Sequence, residues 1–394
     1  MSISNQTLRG MATYQPQQIH KSTSDMVGML AQIHVKGNDP AKASAKSIQQ
    51  SLVGVLTDKV NQSTKGKDFD TALAKLKTEI TNTSKLGHGV GSVQDKALTI
   101  IRGMEMKRQA EAGLEMEMSH HMPFANFDNK QNWRMVMDGY QQAARGEYGF
   151  ENESGYMAGT FNGLTRALQS ARNDEPLSVD LFIELHDTCV NHVMPMGTTM
   201  GEHSPEYLES GLRDHYKPNS DIERRVGFAL TEDRNMTKAG MRELRDPGNG
   251  AGTWYELTKN NEKDMLKTFA KTTGECRQRA TDIIDSYHRE IRAADTPDKK
   301  LAAIARCCRD LEISHLFADG NARTVGFCVA NKLLIENGFS PVILENPNRF
   351  DGYSVNELVQ ELKDGMEKFA SHCNDRVRTG SVGHEGLVDT RNII

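Results

Sequence analysis

The side chains best suited to chemistry in this chain lie in one segment, His315-Leu316-Phe317-Ala318-Asp319-Gly320-Asn321-Ala322-Arg323. His315 is an imidazole able to take a proton near neutral pH. Asp319 offers a hard carboxylate oxygen, and one carboxylate with phosphate oxygens and water is the usual way Mg2+ is held. Gly320 permits positive φ or close approach of the backbone to a ligand. The loop is short, so His315 is held near the amino end of a second helix, and a helix start presents N–H donors and partial positive charge to an anion. Arg323 sits in that first turn, where a cation gains nothing from the helix dipole, so an anion beside it is expected. A base, a metal ligand, an anion cradle and a phosphate-clamping Arg are the parts that phosphoryl transfer needs. Residue types and spacing leave a second reading open. In it the segment is a plain helix–turn–helix hairpin, Asp319-Gly320-Asn321 is turn chemistry, and His315 is a satisfied polar contact.

The elements that must position this segment are helical. Thr296 and Pro297 suit an N-cap and a first helical position, and Leu301, Ile304, Ala305, Cys308 and Leu311 form one apolar face ending near Ser314. A second helix is predicted from Ala322 to about Asn337, stopped by Gly338 and Pro341. Ser354 with Glu357 forms a capping box for a last helix with Val355, Leu358, Val359, Leu362 and Met366 inward. Upstream, 177–193 reads as an amphipathic helix, and helices are also expected from Trp133, from Gly163 to about Ala171, and from Tyr255 to about Ala293, where Ile283, Tyr287 and Ile291 keep four-residue spacing. Residues 225–230 read as one short strand. Ser92 with Asp95 opens a helix reaching about Met118, and helical spacing recurs at Ile48, Leu52 and Val55 and at Phe69, Leu73, Leu76 and Ile80. The expected fold is mainly α: a helix–loop–helix in a helical core with at most a short β flap, plus an N-terminal helical region. The expected partition is a flexible leader (1–24), an N-terminal helical region of unassigned role (25–120), a catalytic domain (121–375) and a polar tail (376–394).

Composition narrows the class. The 394 residues are 37% hydrophobic and 26% charged, which fits a globular chain, and a net charge of −5 argues against a general nucleic-acid binder. Six scattered Cys without a CxxC pair argue against a disulfide framework or zinc site and favour a reducing compartment. No apolar run approaches the roughly 18 residues of a spanning helix, and the first residues lack the apolar core of a cleavable signal peptide. His120-His121 reads as a solvated helix end. Ser381-Val382-Gly383-His384-Glu385-Gly386 has the letters of an inhibitory Ser-x-x-x-Glu-Gly helix, weakened by Gly383.

The segment resembles the signature of the Fic (Fido) family, H-x-F-x-[D/E]-G-N-x-R, at His315, Phe317, Asp319, Gly320, Asn321 and Arg323. Leu185-His186 is similar to a Leu-His pair on an upstream family helix. The resemblance implies a transferase that moves AMP from ATP, with Mg2+, onto a Ser, Thr or Tyr hydroxyl of a target protein. It implies that His315 deprotonates the hydroxyl and that Asp319 holds Mg2+. The amides of Gly320–Ala322, with Asn321, would cradle the transferred phosphate, Arg323 would neutralise the leaving phosphates, and Phe317 would anchor the loop. The sequence departs from the pattern at Leu316, where proline is common, and at Ala322, where Gly or Lys is common. It departs most at Gly326, where many AMP-transferring members carry a second Arg. Members without that Arg include ones that transfer phosphate or phosphocholine, so these donors, and a catalytically weak binding module, stand as alternatives. Unmatched N-terminal regions in the family suggest a bacterial protein that works in the cytoplasm, delivered into a host cell without a cleavable signal, on a host protein.

Overall fold

Short polar side chains set where the elements begin. In the computed structural model, which describes residues 66–89, 92–147, 154–191, 193, 211–213, 227–232, 234–260 and 263–373, most helices start at a side chain that accepts a main-chain N–H. Ser178, Thr237, Thr272, Thr296 and Ser354 each do so, and Thr272 and Ser354 are complete capping boxes with Glu275 and Glu357. The predicted leader, the 48–55 helix, the 376–394 tail and the 381–386 motif lie outside the described residues.

The chain divides into two compact units. In the first, α1 (Gly66–Asn82) buries Leu73, Leu76 and Ile80, and the start of α2 (Val93–Met118) buries Val93, Ala97, Ile100 and Ile101. Gln94 donates through Nε2 to the carbonyls of Ile80, Thr81 and Thr83, which closes the otherwise unpaired end of α1.

The second unit holds the remaining helices: α3 (Gly139–Arg145), α4 (Tyr156–Arg172), α5 (Val179–Val190), α6 (Lys238–Leu244), α7 (Thr273–Ala293), α8 (Pro297–Ser314), α9 (Asn321–Arg323), α10 (Ala330–Glu336) and α11 (Val355–Ser371). A π-helical turn, Thr324–Val329, joins α9 to α10. Helix α8 is central and packs on α7, α10 and α11, while α4 packs on α5 and α10. Helices α4 and α5 approach closely because α4 carries glycine at the contact. A Cβ at Gly159 would come within 2.1 Å of the Cys189 carbonyl oxygen. For the same reason the helix expected to start at Gly163 starts at Tyr156, since Gly163 is a packing residue inside it. All six cysteines are free thiols.

The chain is mainly helical, as expected, but the β element is larger than the sequence suggests. Strands β1 (Gly227–Leu230), β2 (Tyr255–Asn260) and β3 (Lys263–Thr268) form an antiparallel sheet in the order β1-β3-β2. Tyr255 pairs Thr268, and Gly227 pairs Lys267. Residues 255–268 were expected to be helical, continuing the spacing of α7 upstream. Instead Leu266, Thr268 and Ala270 are buried in alternation, the period of a strand, and α7 begins only after the Thr272 cap. The expected helix at Trp133 is likewise a 3-10 segment, Asn129–Val136, followed by α3, because Asp128 and Asp138 each cap a new start. Leu230, Met241, Leu244, Tyr255 and Leu266 form a small core with Ile313, so the sheet packs on the last turn of α8.

Candidate active site

Helix α8 ends at Ser314, and His315 caps it in the left-handed region, at φ 42 and ψ 61, with its N–H donated to the Glu312 carbonyl at 2.9 Å. Glycine normally fills such a position, because a side chain there costs roughly 1–2 kcal/mol. The loop after it is closed by Asn321. Its Oδ1 accepts the Phe317 N–H at 3.1 Å and its Nδ2 donates to the Phe317 carbonyl at 3.0 Å. Phe317 is fully buried, stacked on the His186 ring at 3.7 Å between centroids and packed on Phe182. The Asn321 side chain therefore shapes the loop. A helix leaves the first amides of its opening turn without intrahelical partners, here those at the start of α9, among them that of Ala322.

Gly320 has φ 76, and a Cβ there would lie 2.8 Å from Val190 Cγ1. Its N–H donates to Asp319 Oδ1 at 2.5 Å, and the Asp319 side chain is exposed at the loop. Behind the loop, His186 Nε2 lies 3.0 Å from the Asp319 carbonyl and Nδ1 lies 2.9 Å from Asp187 Oδ1, which also accepts the Gly211 N–H at 2.6 Å. Both contacts of the ring are to acceptor oxygens. Burial alone would raise Asp187, but the hydrogen bonds from His186 and Gly211 outweigh it and hold the carboxyl below its usual range. Arg323 is buried, with its guanidinium 4.1 Å over the Tyr156 ring at the start of α4.

Two acidic residues that the sequence reading passed over complete the site. Glu312 and Asp351 are 1% and 4% exposed, and their carboxylate oxygens and a His315 ring nitrogen all lie within 4.8 Å of one another. Asp351 Oδ2 accepts from Asn235 Nδ2 at 3.3 Å, while Glu312 Oε2 and Asp351 Oδ1 have no hydrogen-bond partner among the described residues. Burial pushes the Glu312 carboxyl well up, and the Asp351 and Asp319 carboxyls beside it push the same way. Burial also raises Asp351, against the lowering hydrogen bond from Asn235. One signal was available for Glu312, an acid three residues before His315 and so on the same side of α8. Asp351 lies in the Pro347–Asp351 turn and gave no signal of its own. The trio is spaced to ligate a compact cation such as a metal ion, and its carboxylates offer negative charge to an organic ammonium resting against them.

At Gly326, a Cβ would lie 2.6 Å from Pro347 Cβ, so the place of a second Arg is filled by the Pro347 turn. His121, expected at a solvated helix end, is instead buried with Nε2 3.1 Å from Glu117 Oε1, which Arg172 also reaches. No helix among the described residues is long and apolar enough to cross a membrane.

No family model matches the chain. Over 265 residues it is 26% identical to the phosphocholine transferase AnkX of Legionella pneumophila, a match covering 61% of this chain and 28% of that protein. The chain thus spans less than a third of that relative, of which it is a distant homologue.

Proposed function

We propose that this chain is a Fic-type transferase that moves phosphocholine, from a choline ester of a nucleoside diphosphate, onto a Ser, Thr or Tyr hydroxyl of a target protein. The observation that carries the choice of group is the pair of buried carboxyls, Glu312 and Asp351, against the His315 ring. Each has an oxygen without a hydrogen-bond partner among the described residues. A quaternary ammonium has no N–H to donate, but its charge compensates buried carboxylates and its methyl groups tolerate a dry pocket. The cation of phosphocholine is tethered to the phosphorus that reacts, so it belongs beside the base. The name of the relative agrees with this reading. AMP transfer from ATP, the expectation from the motif alone, is disfavoured by the Pro347 turn that fills the place of a second Arg.

In this reaction the target hydroxyl oxygen attacks the phosphorus that bears choline. His315 takes the hydroxyl proton at a ring nitrogen, the anhydride P–O bond breaks, and a nucleoside monophosphate leaves. The amides at the start of α9 bind the transferred phosphate, and Arg323, braced on Tyr156, faces the leaving phosphate. An exposed carboxylate on a short loop is donor chemistry that suits Mg2+, so Asp319 would hold that ion, which neutralises diphosphate charge when bound. The target is expected in a host cell, as the resemblance suggests.

Incubation of the full chain with a nucleoside-diphosphate-choline donor and a cell lysate should add a phosphocholine-sized mass to a protein, and His315→Ala should abolish it. An AMP-sized mass from ATP would replace the donor, and labelling that persists in His315→Ala would overturn the role of the base.

A further inference from the structure

The left-handed backbone at His315 has to be held by its neighbours, since an isolated chain would leave it. The residue best placed to hold it is Arg213, in the short segment 211–213. Its main-chain N–H donates to the Leu316 carbonyl at 2.9 Å, and its guanidinium Nη2 donates to the Ser314 carbonyl at 3.1 Å. One residue thus grips the carbonyls on both sides of His315. Nη1 donates to Thr268 Oγ1 at 2.9 Å, at the end of β3, and the Arg213 carbonyl accepts from Thr273 Oγ1 at 3.5 Å, at the start of α7. The side chain is 3% exposed and makes no ion pair among the described residues. A buried cation spent on neutral groups is costly, and this one balances no carboxylate among the described residues. Its hydrogen bonds to oxygen run to the frame around His315, and it also meets the Cys276 thiol on α7. Two residues earlier, Gly211 donates to Asp187, which holds His186 and through it the Asp319 carbonyl. The same segment therefore ties down both ends of the loop.

We propose that Arg213 is a positioning residue for His315, fixing the imidazole by clasping the Ser314 and Leu316 carbonyls and anchoring them to the β3 strand through Thr268. This rests on the reading of His315 as the base. A lysine at 213 keeps charge and the main-chain bond but replaces the planar fork that reaches Ser314 and Thr268 with a single ammonium nitrogen.

The test uses the full chain as wild type, Arg213→Lys and Thr268→Val. Transfer kinetics and the His315 ring signals by NMR are measured together with thermal unfolding. Arg213→Lys should lower kcat by about tenfold or more, with the donor KM within about twofold, because misplacement of a reacting group acts on the barrier. Thr268→Val should produce a smaller fall of the same kind, and both should shift or broaden the His315 ring signals. Unchanged kcat and unchanged ring signals in both variants would overturn the proposal, as would a raised KM at constant kcat. If Arg213→Lys does not fold, Thr268→Val alone decides by the same criteria. If the wild type transfers nothing, the reaction assigned above fails. The ring signals still decide whether Arg213 positions His315.

Discussion

Replacing Asp351 by Asn tests the choice of transferred group most directly. The substitution keeps the shape of the side chain and an oxygen to accept from Asn235, and it removes one negative charge. The carboxylate oxygens of Glu312 and Asp351 and the His315 nitrogen lie within 4.8 Å of one another, and the methyl groups of a quaternary ammonium resting against them hold its nitrogen at about that distance from each. At an effective dielectric constant near 20, one such pair is worth about 3 kcal/mol. Part of this is lost in the free protein, where burial favours the protonated carboxyl, and each pH unit of deprotonation costs about 1.4 kcal/mol. The net loss expected for Asp351→Asn is about 1–2 kcal/mol, or roughly tenfold in Kd for the choline-bearing donor. The assay is titration calorimetry with that donor and with the same nucleoside diphosphate lacking choline. The wild type should prefer the choline ester, Asp351→Asn should lose that preference, and Glu312→Gln should act in the same direction. Because binding ionises raised carboxyls, the wild type should also release protons and bind more tightly as pH rises. Equal affinity of the wild type for the two ligands, or a preference untouched in both variants, would refute the cation pocket.

Two further outcomes follow from the same geometry. Gly326→Ala should cost about 1–3 kcal/mol in a denaturant melt, because its Cβ would press on Pro347, and an unchanged midpoint would show that the turn yields easily. The raised Glu312 and Asp351 carboxyls favour the folded state while they hold their protons, so their contribution is full below the ordinary carboxyl range. It is lost as pH rises from that range through their raised folded values. The ligand-free wild type should therefore lose thermal stability toward alkaline pH relative to the Glu312→Gln, Asp351→Asn double variant. Parallel curves would show that the two groups ionise as they do in the unfolded chain.

Much of the frame was legible in local signals. Ser92, Thr296 with Pro297, and Ser354 with Glu357 mark helix starts by chemistry that acts within one turn, and each does so here. The 255–268 hairpin was missed because its alternation is short and a long, regular helix follows it. Thr272 with Glu275 was the overlooked local mark of where that helix begins. Gly163 misled because a glycine that permits close helix packing looks, in sequence, like one that ends a helix.

At the site, the order of residues by itself determined the helix, the tight loop and the run from His315 to Arg323, since covalent spacing and turn chemistry require nothing distant. Tertiary structure decided the rest. It stacked His186 under Phe317, put Tyr156 beneath Arg323, turned the Asn321 side chain to loop closure and filled the space beside Gly326 with Pro347. It also brought Asp351 and Arg213 to His315 from far along the chain. Burial gives these two residues their significance, because a carboxyl or guanidinium interacts strongly only where water is excluded, and exclusion is a property of the packed chain.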